Sequence, residues 1–220
     1  MDALTIDVVS DVVCPWCFIG KRRLDRAAVL LGRPLHIHWH PFQLNPGLPP
    51  EGIPRRDYRI AKFGSWEYSQ QLDARVAENG RQCGIEFRHD RMARTPNSLR
   101  AHVLLAAALP LGPDAQSLVA ERLFTGYFTN GEDVGDPAVL LSIANECGIS
   151  RISTVADLDA PDLTAFVRAQ EESARATGVQ GVPFITFQGR LVSAGAAPEE
   201  VLADRLRELL VAEGLAPEPS

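Results

Sequence analysis

No stretch of this chain approaches the roughly 18 consecutive apolar residues of a membrane-spanning helix. Basic residues are outnumbered, 22 against 28 acidic ones, for a net charge of −6, which removes the electrostatic attraction on which nucleic-acid binding rests. Neither a membrane nor a nucleic acid is expected as a partner. There is no internal repeat and no low-complexity tract. Met1-Asp2-Ala3-Leu4 lacks the basic region that opens a secretory signal, so a cytoplasmic location is the expectation. Cysteine is scarce, four residues in 220, with no second Cys-x-x-Cys and no Cys/His spacing that would build a zinc site. The remainder, 45% hydrophobic and 23% charged, suffices for a sizeable core at this length.

Two of the four cysteines stand close together, in Cys14-Pro15-Trp16-Cys17. Leu4, Ile6 and Val8 alternate with polar residues as in a strand, and Phe18 to Leu31 reads as an amphipathic helix closed by Gly32. The motif therefore lies at a strand-to-helix junction, with Cys14 as N-cap and Pro15 in the first helical position, where a missing N–H costs nothing. An N-cap side chain accepts hydrogen bonds from the next amides, here those of Trp16 and Cys17. The helix dipole adds partial positive charge, and both effects favour a thiolate at Cys14. Cys14 is thus the expected attacking sulfur and Cys17, one turn deeper, the thiol that resolves a mixed disulfide. Trp16 is expected to line the docking surface and tune the potential. Lys21, Arg22 and Arg23 offer only screened support.

Near the other end, Pro183 heads the strand Phe184 to Phe187, joined at Gln188-Gly189 to a second strand, Arg190 to Ser193. An X-Pro bond there can be cis, which turns the backbone of Val182 outward as an edge for an extended substrate. Residues 57 to 177 read as helical, with Thr95-Pro96 and Asp136-Pro137 as helix starts and Gly80, Gly148 and Gly178 as stops. The stripes Leu99, Val103, Leu104, Ala107 and Val139, Leu140, Ile143, Ala144 are expected to pack on each other. Leu44 to Pro54 is the loop into this segment. His36, His38 and His40 share one face of a strand ending at Pro41. A flat row without a fourth ligand favours a half-polar strand face over a metal site, so no metal is assigned. Cys83 and Cys147 read as small buried hydrophobes.

The element order is that of a thioredoxin fold with a long insertion. It predicts an α/β architecture in which 1–56 and 178–213 form the thioredoxin-like domain and 57–177 a large all-helical subdomain, lid-like over the dithiol, with 214–220 as a tail. The chain resembles the DsbA-like thioredoxin superfamily, and within it the FrnE-type branch. The resemblance lies in Ser10 to Cys17 with Ile19 to Arg22, Pro41-Phe42-Gln43-Leu44-Asn45-Pro46, the pairs Asn97-Ser98 and Ala101-His102, and Gly178 to Phe184. It implies a disulfide oxidoreductase acting on a disulfide-containing protein or a small thiol or disulfide, without a bound cofactor, with glutathione as a candidate co-substrate. It also implies that Asn45, Asn97 and His102 line the groove between the subdomains. In a reducing cytoplasm the resting form is the dithiol, favouring a reductase, isomerase or stress-linked exchanger over a net disulfide donor.

Two other readings stay open. Related 2-hydroxychromene-2-carboxylate isomerases and kappa-class glutathione transferases bind glutathione, but carry serine where this chain has Cys14. The branch is also associated with polyketide biosynthesis, which allows an accessory or chaperone-like binding role. One departure concerns the turn before the last helix: the branch has Ser-Gly-Ala-Gln-Pro where this chain has Ala194-Gly195-Ala196-Ala197-Pro198. Two polar groups are missing, with Ser193 as a candidate substitute. The oligomeric state is left open.

Overall fold

In the computed structural model, which describes residues 3–215, strands β1 (Leu4–Ser10) and β2 (Leu35–Pro41) run parallel, joined by helix α1 (Pro15–Leu31). The connection is right for a parallel pair, which needs a crossover rather than a tight turn. The chain returns to this sheet only at β5 (Phe184–Phe187) and β6 (Arg190–Ala194), a hairpin whose first strand pairs antiparallel with β1, giving the order β2-β1-β5-β6. Gln188 and Gly189 form the hairpin turn, both at positive φ (50° and 74°), the backbone that a twisted two-residue turn demands. β1 is central, and its alternation buries Leu4, Ile6 and Val8. The closing helix α9 (Glu199–Ala212) packs beside α1.

Between β2 and β5 lie two short strands, β3 (Ile53–Pro54) and β4 (Arg94–Thr95), and helices α2 (Arg55–Phe63), α3 (Trp66–Gln82), α4 (Leu99–Ala108), α5 (Pro113–Thr125), α6 (Pro137–Glu146), α7 (Val155–Leu158) and α8 (Pro161–Ala176). Phe18, on the dithiol helix and 1% exposed, stacks on Phe124 of α5 at 5.3 Å and meets Phe87 edge-on at 6.0 Å. Each such aromatic pair adds about 0.5–1.5 kcal/mol beyond the area buried, so α1 is clamped directly to the insertion. The exposed edge of β2 is closed by a side chain: Gln116 of α5 accepts from Trp39 N–H at 2.8 Å and donates to Trp39 C=O at 3.1 Å. This satisfies backbone groups that would otherwise invite another strand.

Several local expectations are corrected. Thr95-Pro96 does not start a helix. Thr95 pairs with Ile53 in the two-stranded ribbon, the extended conformation that a following proline favours, and α4 begins only after Ser98. The insertion is therefore not wholly helical. Gly80 does not stop a helix either: α3 runs through it to Gln82. Its value is space, since a Cβ there would lie 2.4 Å from the Phe87 ring. Asp136 does cap α6, accepting from Ala138 N–H at 2.7 Å, and the chain turns at Gly148 and Gly178 at positive φ. α4 meets α6 as expected, but also α5 and α8; Ala101 through Ala108 are all buried, so it is a central helix rather than a one-sided one. Cys83 is core, and Cys147 is half-buried against it. Most of the expected tail lies outside the described residues.

Replacing Gly80 with alanine tests the Phe87 contact. Overpacking of this kind costs about 1–3 kcal/mol, and a thermal melt should fall by several degrees. An unchanged melting temperature would show that Phe87 moves aside freely.

Candidate functional site

The turn after β1 delivers both motif cysteines to the first turn of α1. Cys14 is the N-cap, in extended backbone conformation, and Pro15 follows at the first helical position. Cys14 C=O accepts from Cys17 N–H at 3.0 Å. Both thiols are free, at 4% and 1% exposure. The expected capping bond to the Cys14 sulfur is not formed. Its Sγ instead donates to Val182 C=O at 3.6 Å, a weak S–H···O bond. The Val182–Pro183 peptide is cis. Pro183 lies against α1 at Gly20, where an added Cβ would sit 3.1 Å from the ring. The structure thus brings Cys14, Cys17, Val182 and Pro183 together from opposite ends of the chain.

Burial first, then the neighbouring Cys14 thiol, push the Cys17 thiol well up, with Ser10 and Asp11 as smaller opposing influences. Asp11 is the residue whose importance was missed. It is 0% exposed; its carboxylate accepts from Leu44 N–H at 2.7 Å and Val13 N–H at 3.3 Å, and its C=O accepts from Cys14 N–H at 3.0 Å. His102 Nε2 of α4 lies 3.3 Å from the same carboxylate, without hydrogen-bond alignment. The available signal was an acid between Ser10 and Val12 at the end of an apolar strand, a place where an unpaired charge is not tolerated.

The groove residues divide. His102 does not line the dithiol groove; it is 2% exposed behind the motif. Asn45 accepts from Tyr58 hydroxyl at 2.7 Å. Asn97 is a structural tie, donating to Leu48 C=O at 2.7 Å and accepting from Gln43 and from Leu99 N–H, both at 3.0 Å. Lys21 and Arg22 are paired with Glu121, and Arg23 bonds Ala196 C=O and Asn79, so none reaches the sulfurs. Ser193 is spent on Gly195 C=O at 2.9 Å. On β2, His40 Nε2 meets Asp7 at 2.7 Å. That hydrogen bond raises the His40 pKa and lowers that of Asp7. Among the described residues no cluster of His, Cys, Asp and Glu is arranged to hold a metal ion.

Beside Cys14 lies a groove of about 510 Å³, walled by Pro15, Trp16, Leu44 and the α2–α3 residues Phe63, Leu72 and Val76, with Arg59, Asp73, Arg75 and Asn79 as its polar lining. Trp16 stands at its mouth, 38% exposed. The insertion thus forms one wall over the dithiol.

Comparison with known proteins agrees with this geometry. The family model of the DSBA-like thioredoxin domain matches residues 5–207. The uncharacterized protein YwbO of Bacillus subtilis is 27% identical over 197 residues, spanning 89% of this chain and 92% of that protein. The crystal structure of a probable DsbA oxidoreductase from Streptomyces coelicolor superposes with a TM-score of 0.83 at 26% identity, covering 99% of this chain and 93% of that one. The cytosolic disulfide reductase DsbM of Pseudomonas aeruginosa shares the fold, with a TM-score of 0.63 at 20% identity over 97% of this chain and 100% of that one.

Asp11→Ala leaves the amides of Val13 and Leu44 without their acceptor and His102 without its partner. Leaving such amides unsatisfied costs about 1–3 kcal/mol each, read as a lowered urea midpoint, with Asp11→Asn recovering part; a loss under about 1 kcal/mol would contradict the arrangement. The Asp7–His40 pair makes stability pH-dependent. Because the folded His40 pKa is raised, its contribution is complete below about pH 6.5 and is lost as pH rises through the folded value. His40→Gln should remove that decline from a series of denaturation curves, and an unaltered decline would assign it elsewhere.

Proposed function

Since the chain belongs to the DSBA-like thioredoxin domain family, we propose that it is a thiol–disulfide oxidoreductase working through Cys14 and Cys17. The observation that carries this reading is the placement of the Cys14 sulfur 3.6 Å from the Val182 carbonyl, beside the cis peptide. An extended substrate pairing with the Val182 backbone would present its disulfide to Cys14. The Cys14 thiolate then displaces one substrate thiolate and forms a mixed disulfide. Cys17, giving up its proton, attacks the Cys14 sulfur and expels the other half. The protein ends as the Cys14–Cys17 disulfide and the substrate as a pair of thiols.

The order of events has a physical basis in the site. Burial is the largest influence that holds the Cys17 thiol protonated, and the neighbouring Cys14 sulfur adds to it. Once Cys14 is tied up in a mixed disulfide its share disappears, while burial and the smaller opposing influences of Ser10 and Asp11 remain. Forming the mixed disulfide thus eases deprotonation of Cys17 at the step where resolution requires it. Pro15 orders the helix start, and Trp16 meets the partner. We place the reaction in a reducing compartment, where the resting pair is the dithiol. Proteins and small disulfides are both admitted as substrates.

Cys17→Ser should accumulate mixed disulfides on Cys14 when incubated with a cysteine-peptide disulfide, seen as a mass increase that dithiothreitol removes. Cys14→Ser with Cys17→Ser should show none. Absence of any adduct on Cys17→Ser would sink the proposal.

A further inference from the structure

The chain as a whole is acidic, at −6, yet the wall facing Cys14 is not. Asp73, 9% exposed, is the one carboxylate among the residues lining the groove and the adjoining cleft. Both of its oxygens are taken, by Arg55 at 2.8 Å and Arg59 at 2.7 Å. Arg59 is held further by Ser69 and by the face of Phe63, 4.5 Å from the ring centroid. Arg75, two residues beyond Asp73 on α3, is exposed and lines the same groove. Among the described residues its guanidinium has no hydrogen-bond or ion-pair partner. The nearby acid on that helix, Glu78, is engaged by Arg81. Three arginines against one aspartate leave an excess of positive charge beside the nucleophile, with one cation free at its rim. A concave, partly apolar site of this kind concentrates its field on an incoming ligand.

We propose that the groove selects disulfides bearing carboxylates, with Arg75 as the specificity-determining residue. This rests on the exchange reaction proposed above. The substrate's disulfide meets Cys14, its apolar portion lies against Trp16, Phe63 and Leu72, and a carboxylate reaches the Arg75 guanidinium, a planar donor suited to accept it in two-point contact. The chemistry serves equally for a small peptide-like disulfide and for an acidic segment of a protein.

The test uses the full chain, reduced beforehand and freed of reductant, so that the protein is the only electron donor. Its oxidation is followed in stopped flow by tryptophan fluorescence and by quenched thiol counting. The probes are glutathione disulfide, in which carboxylates outnumber amines, and cystamine, which carries amines and no carboxylate. A second pair of probes, disulfides of one cysteine peptide flanked by glutamates or by lysines, separates a small-molecule from a protein source. Rates are divided by those for dithiothreitol-reduced reference thiol, to cancel intrinsic reactivity. Wild type should prefer the acidic member of at least one pair, less so at high salt, and Arg75→Glu should reduce that preference by about tenfold, with Arg75→Gln between. An exposed position makes folding of both variants the expectation, checked by an unchanged melt. Persistence of the preference in Arg75→Glu, or no preference in wild type, would overturn the inference while leaving the exchange reaction standing. If no disulfide oxidises the wild-type protein, the exchange reading itself falls.

Discussion

A single carboxylate with no access to water organises the site. Asp11 sits where β1 ends and the motif begins, and four groups from three segments converge on it: the Cys14 amide through its carbonyl, the Val13 and Leu44 amides through its side chain, and His102 of the central helix. A buried charge is retained only where it is paired and hydrogen-bonded. That requirement forces the strand-to-helix turn, the loop after β2 and the insertion into one relative arrangement. The Asp11 carbonyl holds the Cys14 amide, so the residue that positions the insertion also fixes the backbone of the attacking cysteine.

Around that anchor the fold holds the dithiol by two further devices. The aromatic cluster of Phe18, Phe87, Phe124 and Phe128 joins α1 to the insertion on one side. On the other, Gly20 leaves room for Pro183, which brings the Val182 carbonyl to Cys14. One wall of the groove therefore comes from the sheet and helix common to the thioredoxin fold, and the other from α2 and α3 of the insertion. Reactivity and recognition reside on different parts of the chain: the sulfurs on α1, the free cation and apolar surface on α3.

Much of this was legible in the residues. Cys14-Pro15-Trp16-Cys17 after an alternating strand located the helix start and the cap residue, and Gln188-Gly189 located the hairpin, because these features depend on local backbone chemistry. What local pattern could not convey was long-range packing. Gly80 resembles a stop until Phe87 is seen to fill the space it leaves. Thr95-Pro96 resembles a cap until Ile53 is seen to pair with Thr95. His102 resembles a groove residue until α4 proves buried on every side. The capping bond to Cys14 failed for another reason: a cap position permits it, but the sulfur is engaged by a carbonyl that lies 168 residues away in the chain.

The central claim is that Cys14 and Cys17 form one reversible dithiol–disulfide couple. Equilibrating the protein across a series of glutathione redox buffers, and counting free thiols by alkylation and mass at each, tests it directly. The account predicts that the two cysteines oxidise together, in one two-electron transition that reads the same from either direction and vanishes in Cys14→Ser, while Cys83 and Cys147 stay reduced. Independent oxidation of the two sulfurs, or no reversible transition, would contradict it.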